Sequence, residues 1–329
     1  MKIGILGCGY WAPNLIKSLE LANCNPCCVA DHHIKKTDPF FIERPYLGIE
    51  FDAETIINDP SIDAVVIALP SEEHYYFCKK ALMNNKHVLV EKPFVPSAKQ
   101  AYELYEIANK NNLVLMVDHH FIYKDSIKHI KSLYNSGEFG KLYYFNSNRK
   151  NLGIFRKTDN VVSDLVPHDL SILQFVLNDI PSSVSAIGKC NIIPNKEDTA
   201  YVTLNYENGL CANINLSWIC PSKVRDISFG GSFVTAFFDD NKIQDKLIIK
   251  HNNYSVIENG VVQCSVSPEI NIVGDYSNPL LNVVTEFISC INENTDPISD
   301  GLFAYRITKT VNAINESIKK CGKEVNVIL

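Results

Sequence analysis

The chain has 329 residues, 46% of them hydrophobic and 21% charged, and a formal net charge of -6. This length accommodates two domains of ordinary size, each with its own core. The acidic balance, with no run of lysine or arginine, excludes general nucleic-acid binding, and no apolar stretch approaches the length of a membrane span.

The first residues run directly into an apolar strand without the long hydrophobic stretch of a signal peptide, so a cytoplasmic protein is expected. Short apolar runs at 2–7, 26–30, 64–69, 87–90 and 113–117 alternate with helix-length periodic patterns at 12–21, 72–83 and 98–111. Near-continuous apolar strands separated by helices predict a doubly wound parallel sheet, a Rossmann-type domain over residues 1–122. The pattern then changes. A helix at 125–136, a strand at 142–148 and a helix near 168–177 are followed by strands at 184–188, 200–206, 211–217, 227–230, 234–238 and 247–250. Helices at 279–292 and 302–320 close the chain. Residues 123–329 therefore read as an α+β domain with a large, mostly antiparallel open sheet. Such a sheet needs its second face covered, which predicts a homodimer or homotetramer. The eleven cysteines are scattered and read as reduced, small apolar fillers. Cys24, Cys27 and Cys28 begin a zinc spacing that no second pair completes, so no metal is expected.

Gly7-Cys8-Gly9-Tyr10-Trp11-Ala12 lies between the first strand and the first helix, where a dinucleotide pyrophosphate is held. Gly7 permits the tight turn, Gly9 admits the phosphates to the backbone, and Ala12 keeps helix and strand close. The helix N-terminus offers unpaired N–H groups and the positive end of its dipole. Asp31, at the end of the second strand, is placed to accept the ribose hydroxyls of NAD and to repel the 2′-phosphate of NADP. His32 and His33 beside it would ease that repulsion when protonated, so NADP is the less favoured cofactor. Glu91-Lys92-Pro93 can set an ammonium beside the reacting end of the dinucleotide. Asp164 and His168, four residues apart, share a helical face, as an oriented acid/base unit requires. A helix cap with a stray histidine would give the same spacing.

Together these segments resemble the glucose–fructose oxidoreductase/inositol dehydrogenase/rhizopine catabolism (Gfo/Idh/MocA) family over essentially the whole chain. The resemblance runs from the glycine motif through Ala68-Leu69-Pro70 with His74, His87–Pro93 and Asp164–Asp169 to Ser299-Asp300-Gly301 and Asn315-Glu316-Ser317. It implies that Lys92, Asp164 and His168 form the catalytic set. Gly7, Gly9, Tyr10, Trp11, Asp31, Leu69, Pro70, His74, Glu91 and Lys92 are implied to contact the cofactor, with Glu91 at the nicotinamide ribose. It also implies a cis Lys92–Pro93 bond. Gly9-Tyr10-Trp11-Ala12-Pro13-Asn14 and the stretch from Asn148 to Arg156 look like those of members acting on nucleotide-linked sugars. Arg149 and Arg156 would meet the diphosphate there, or else form surface salt bridges. Tyr123 would line the sugar pocket beside His168. The expected reaction is NAD-dependent oxidation of the 3-hydroxyl of UDP-N-acetylglucosamine or its uronic acid. The product would go to an aminotransferase in surface-glycan or lipopolysaccharide synthesis. The alternatives are NADPH-dependent reduction of a dTDP-3-keto-deoxysugar, a free polyol or inositol dehydrogenase, and a catalytically silent NAD-binding regulator.

Overall fold

The computed structural model describes residues 1–35, 37–243, 246–256, 262–272 and 278–328. They form two compact units, Met1–Tyr123 with Asn278–Thr308, and Lys124–Ser277 with Lys309–Leu329.

The first unit holds β1 (Ile3–Leu6), α1 (Ala12–Leu21), β2 (Cys28–Ala30), α2 (Pro39–Ile42), β3 (Gly48–Glu50) and α3 (Ala53–Asn58). It continues with β4 (Ala64–Ile67), α4 (Ser71–Met83), β5 (His87–Val90), α5 (Ala98–Lys110), β6 (Leu115–Val117) and a 3-10 turn at His120–Tyr123. The strands pair in parallel in the order β3-β2-β1-β4-β5-β6. Residues of β1 and β4 are buried throughout, as expected for strands covered on both faces. Helix starts are set locally: the Asp52 side chain accepts from Glu54 N and the Ser97 side chain from Gln100 N. The segment α2–β3–α3 carries too short a period to be read from sequence.

The second unit opens with α6 (Asp125–Asn135), β7 (Leu142–Leu152) and α7 (Val161–Leu177). The strands β8 (Ser183–Lys189), β9 (Thr199–Asn205), β10 (Cys211–Ser217), β11 (Ile219–Gly231) and β12 (Val234–Asp239) follow. After them come β13 (Leu247–Val256), β14 (Val262–Val266) and β15 (Ile270–Ile272). With β16 (Val325–Asn326) the sheet order is β14-β13-β12-β11-β7-β10-β9-β8-β16, with β15 on β13. Pairing is antiparallel except between β7 and β10. Strands β9 and β10 bury alternate residues: Ala200, Val202 and Leu204 on one, Ala212, Ile214 and Leu216 on the other. The opposite face carries Ile187, Tyr201 and Phe237, which are exposed.

Helix α7 begins seven residues before the expected 168. Asn160 and Ser163 cap it reciprocally, and Pro167 is held inside it. A proline that normally ends a helix hid the first two turns, so Asp164 to Asp169 lies within the helix rather than at its start.

The remaining helices are α8 (Pro279–Glu293) and α9 (Gly301–Lys319). Residues 278–308, expected in the C-terminal domain, pack with the first unit. The reason is the open edge of β6. Val117 N donates to Ser299 O at 2.9 Å, Ser299 Oγ donates to Val117 O at 2.8 Å, and Met116 bridges Asp300. The returning chain satisfies backbone groups that an edge strand would leave open.

Candidate active site

In the first unit, the turn after β1 has the shape of a phosphate cradle. Gly7 adopts φ +91°, and a Cβ there would stand 2.7 Å from Ala68 O, so both conformation and space require glycine. A Cβ on Gly9 would meet nothing within 4 Å, which leaves that backbone open to an approaching group. Helix α1 starts at Trp11 without a side-chain cap and without acidic residues in its first turn. Its terminal N–H groups therefore face no competing carboxylate from the helix itself. Asp31 anchors this turn: Oδ2 accepts Cys8 N and Oδ1 accepts His33 N, each at 2.7 Å. Each oxygen keeps a lone pair for a hydroxyl donor. This backbone cradle ending in a ribose-type carboxylate fits an NAD dinucleotide.

At the ends of β5 and β6 the chain buries an unusual set of polar atoms. Among the described residues, neither oxygen of Asp118, nor Glu91 Oε1, Trp11 Nε1 or either ring nitrogen of His119, finds a hydrogen-bond partner of good geometry. Burial and then the charge of Asp118 push the Glu91 carboxyl well above its ordinary value. For Asp118, burial works upward, but the bond and charge of His120 outweigh it and hold the carboxyl low. His120 Nδ1 stands 3.5 Å from Asp118 Oδ1, and its ring lies 6.3 Å from that of Trp11. Burial pushes His119 down to about 3, which keeps it neutral. Buried polar groups are normally satisfied, so Trp11 Nε1 and Glu91 Oε1 mark where a polar ligand would complete the set. Sequence reading missed Asp118, whose signal is only a carboxylate ending a buried strand.

Lys92 follows Glu91, and the Lys92–Pro93 peptide is cis. His74, expected at the cofactor, is a buried clamp. Its Nδ1 faces Pro93 O at 2.9 Å and Phe94 O at 3.1 Å, and its Nε2 faces Leu69 O at 2.9 Å. It ties the Leu69-Pro70 turn to the lysine turn. Tyr123, expected in the sugar pocket, is buried with its hydroxyl 3.5 Å from Ser299 Oγ. Tyr10 is largely exposed.

In the second unit, Asp164 and His168 stand on successive turns of α7. Trp218 Nε1 donates to Asp164 Oδ2 at 3.1 Å, and Arg156 Nε lies 3.9 Å from Oδ1. Trp218, from the end of β10, is the residue that sequence reading did not supply. Arg149, expected at a diphosphate, is buried. Its Nε and Nη2 donate to Asp169 Oδ2 and Oδ1, both at 2.9 Å, and Ser147 Oγ donates to Oδ1. Arg149 thus braces β7 against α7. Among the described residues no group of three or more His, Cys, Asp or Glu has metal-holding geometry. The thiols of Cys27 and Cys28 lie 3.6 Å apart.

Residues 1–119 match the model described as "Oxidoreductase family, NAD-binding Rossmann fold", and residues 127–232 match the GFO/IDH/MocA C-terminal domain. The chain belongs to the Gfo/Idh/MocA oxidoreductase family. Its first unit is that family's NAD-binding domain. D-apiose dehydrogenase of Rhizobium rhizogenes is 26% identical over 231 residues, covering 66% of each chain. A dTDP-3,4-didehydro-2,6-dideoxy-alpha-D-glucose 3-reductase of Saccharopolyspora spinosa is 32% identical over 151 residues, 44% of each. The chain thus spans about two thirds or less of the length of these curated relatives. The crystal structure of UDP-N-acetylglucosamine 3-dehydrogenase from Acidithiobacillus ferrooxidans superposes with a TM-score of 0.80 at 20% identity, covering 97% of this chain and 98% of that one. At that identity the likeness establishes the shared fold. Among the described residues no helix is long and apolar enough to cross a membrane.

Proposed function

We propose that this protein is a cytoplasmic NAD-dependent dehydrogenase that oxidises the 3-hydroxyl of a UDP-linked amino sugar, UDP-N-acetylglucosamine or its uronic acid. The observation that carries the reading is the first unit's own arrangement. A backbone phosphate cradle ends in Asp31, and Lys92 follows Glu91 in the turn that His74 clamps. NAD, when bound, accepts a hydride from the alcohol carbon. Lys92 or His168 takes the hydroxyl proton, and an ammonium at Lys92 stabilises the alkoxide as it develops. Asp164, fixed by Trp218, orients His168. Glu91 presents its carboxyl to the nicotinamide ribose, and Asp31 favours NAD over NADP. Choice of a nucleotide sugar is supported by the Gly9–Asn14 motif and by the fold shared with the UDP-sugar 3-dehydrogenase. A 3-keto product is the natural substrate of an aminotransferase. The apolar open face bearing Ile187, Tyr201 and Phe237 supports a homodimer or homotetramer.

The test is mass spectrometry of UDP- and dTDP-sugars incubated with the enzyme and NAD, with hydroxylamine present to trap ketones. An oxime of one UDP-amino sugar is expected, and Lys92→Ala is expected to abolish it while NADH binding persists. Turnover by Lys92→Ala would remove Lys92 from the mechanism. The sequence match to the dTDP-sugar 3-reductase favours a second reading, reduction of a 3-keto-deoxysugar. Preference for NADPH and no oxime from any UDP-sugar would establish it instead.

A further inference from the structure

Cys27 and Cys28 take no part in the site above, and their setting differs from that of an apolar filler. Cys78 is such a filler: it is wholly buried, and burial raises its thiol far above the ordinary value. Cys27 and Cys28 are only half-buried, and their sulfurs lie 3.6 Å apart, sharing a hydrogen bond. In an extended strand neighbouring side chains point to opposite faces. These two converge because β2 begins at Cys28 and Cys27 sits in the bend before it. Cys28 pairs with Gly4 on β1 and with Gly48 on β3, so neither paired residue lays a side chain over its thiol. Cys27 Sγ also donates to Ile3 O at 3.2 Å. The bond with Cys28 outweighs burial and holds the Cys27 thiol down at about 7, while the same bond raises that of Cys28. The thiolate is the reactive form of a cysteine, so Cys27 is the nucleophile of the pair.

The pair also lies on the backbone that carries Asp31. Cys27 N donates to Ile3 O and Gly48 N to Cys27 O, each at 2.9 Å. Only Val29 and Ala30 separate Cys28 from Asp31. Asp31 N in turn donates at 3.2 Å to the carbonyl of Glu50, the last residue of β3, and its side chain anchors the phosphate turn through Cys8 N. A disulfide normally joins Cα atoms about 4.4–6.8 Å apart, whereas neighbours in the chain stand at about 3.8 Å. Joining Cys27 to Cys28 therefore turns the peptide between them, and the carbonyl of that peptide is the one that holds Gly48 N. Losing that bond loosens the start of β3, the strand whose far end holds Asp31.

We propose that Cys27 and Cys28 form a reversible oxidation site for a low-molecular-weight disulfide, and that its closure weakens NAD binding through β3 and Asp31. The Cys27 thiolate attacks the S–S bond of the reagent, forming a mixed disulfide and releasing one thiolate. The Cys28 sulfur then attacks the Cys27 sulfur, forming the Cys27–Cys28 bond and releasing the second thiolate. The two thiol protons pass to the two leaving thiolates, so two thiols are oxidised as one disulfide is reduced. Thiols in excess run the same exchange backwards.

The test is incubation of the full-length, NAD-free protein with oxidised glutathione, followed by mass spectrometry of the tryptic peptide 18–35 and by NADH titration. The peptide is expected to lose two hydrogens, and to lose them equally in Cys24→Ser. NADH affinity should fall about tenfold, the effect of losing one hydrogen bond to a charged group. Dithiothreitol should restore it, and Cys27→Ser should keep its affinity through the same treatment. By linkage, saturating NADH should make the pair harder to oxidise by the same factor, a shift of about 30 mV in its potential. If Cys27→Ser does not fold, Cys28→Ser takes its place. A peptide that keeps its hydrogens, or that stops at a glutathione adduct, overturns the site. A loss of hydrogens that vanishes in Cys24→Ser also overturns it, by moving the bond to Cys24. Unchanged NADH affinity of the oxidised protein overturns the link to the cofactor.

Discussion

Asp118 and Asp169 are both wholly buried, and their surroundings are opposite. Asp169 in the second unit receives two hydrogen bonds from Arg149 and one from Ser147. Asp118 in the first unit has the 3.5 Å approach of His120 and, among the described residues, no hydrogen bond of good geometry on either oxygen. A buried charge is costly unless it is paired and bonded. Asp169 meets that condition within the fold, which makes it architecture. Asp118 does not, and it stands in the same polar set as Glu91, beside the lysine turn of the cofactor-binding unit. Unfinished pairing of this kind marks a place where a ligand completes the set.

The comparison predicts, first, a large difference in stability. Asp169→Asn leaves a buried guanidinium without its counter-charge, and removing one partner of such a pair costs about 3–5 kcal/mol. Urea unfolding followed by circular dichroism should show that loss, with NADH affinity of the remaining folded protein unchanged. A loss below about 1 kcal/mol, the range of exposed pairs, would show that the Arg149–Asp169 bond is not a brace.

Asp118→Asn should behave differently, and its signature is pH dependence. Glu91 has a raised value in the folded protein, caused by burial first and by the charge of Asp118 second. A raised carboxyl contributes stability that is present below its unfolded value, about 4.5. That stability is lost as pH rises through the folded value. Removing the charge of Asp118 lowers the folded value of Glu91 and leaves less to lose. The variant should therefore gain on the parent as pH climbs above about 4.5. Urea midpoints for both proteins between acid and neutral pH measure this directly. A difference that stays constant with pH would mean that Asp118 and Glu91 do not interact.

The same contrast explains what was legible in the sequence. Gly7, Gly9, Asp31 and the Lys92–Pro93 turn were readable because each answers to a local demand: a positive φ, an open backbone, a strand end, a fixed turn. The parallel sheet was readable because its strands are apolar throughout. The partners of Arg149 and Asp164 were not, since Asp169 and Trp218 reach them across β7, α7 and β10, and no spacing along the chain encodes that approach. Tyr123 and His74 were picked out because they adjoin the right strands, but their partners in the fold were not legible. Burial of Tyr123 beside Ser299, and the three carbonyls around His74, are tertiary facts. The return of residues 278–308 to the edge of β6 is of the same kind.

Asp164 lies between the two extremes. It is nearly buried, it accepts a bond from Trp218 Nε1, and Arg156 Nε stands 3.9 Å from its Oδ1. Trp218→Phe removes the bond but keeps an aromatic ring against Phe155, whose centroid is 5.4 Å from that of Trp218. A single hydrogen bond of this type contributes about 1 kcal/mol, so stability should fall by that order, well below the effect at Asp169. The more telling effect is on rate. If Trp218 holds Asp164 so that His168 stays oriented, about 1 kcal/mol of lost orientation lowers kcat roughly fivefold. NADH affinity should not move, because the bond lies within the second unit. A kcat equal to that of the parent, with stability reduced, would place Asp164 beside Asp169 as part of the frame. A reduced kcat at unchanged NADH affinity would place it with Asp118, among the carboxylates that the fold leaves open for chemistry.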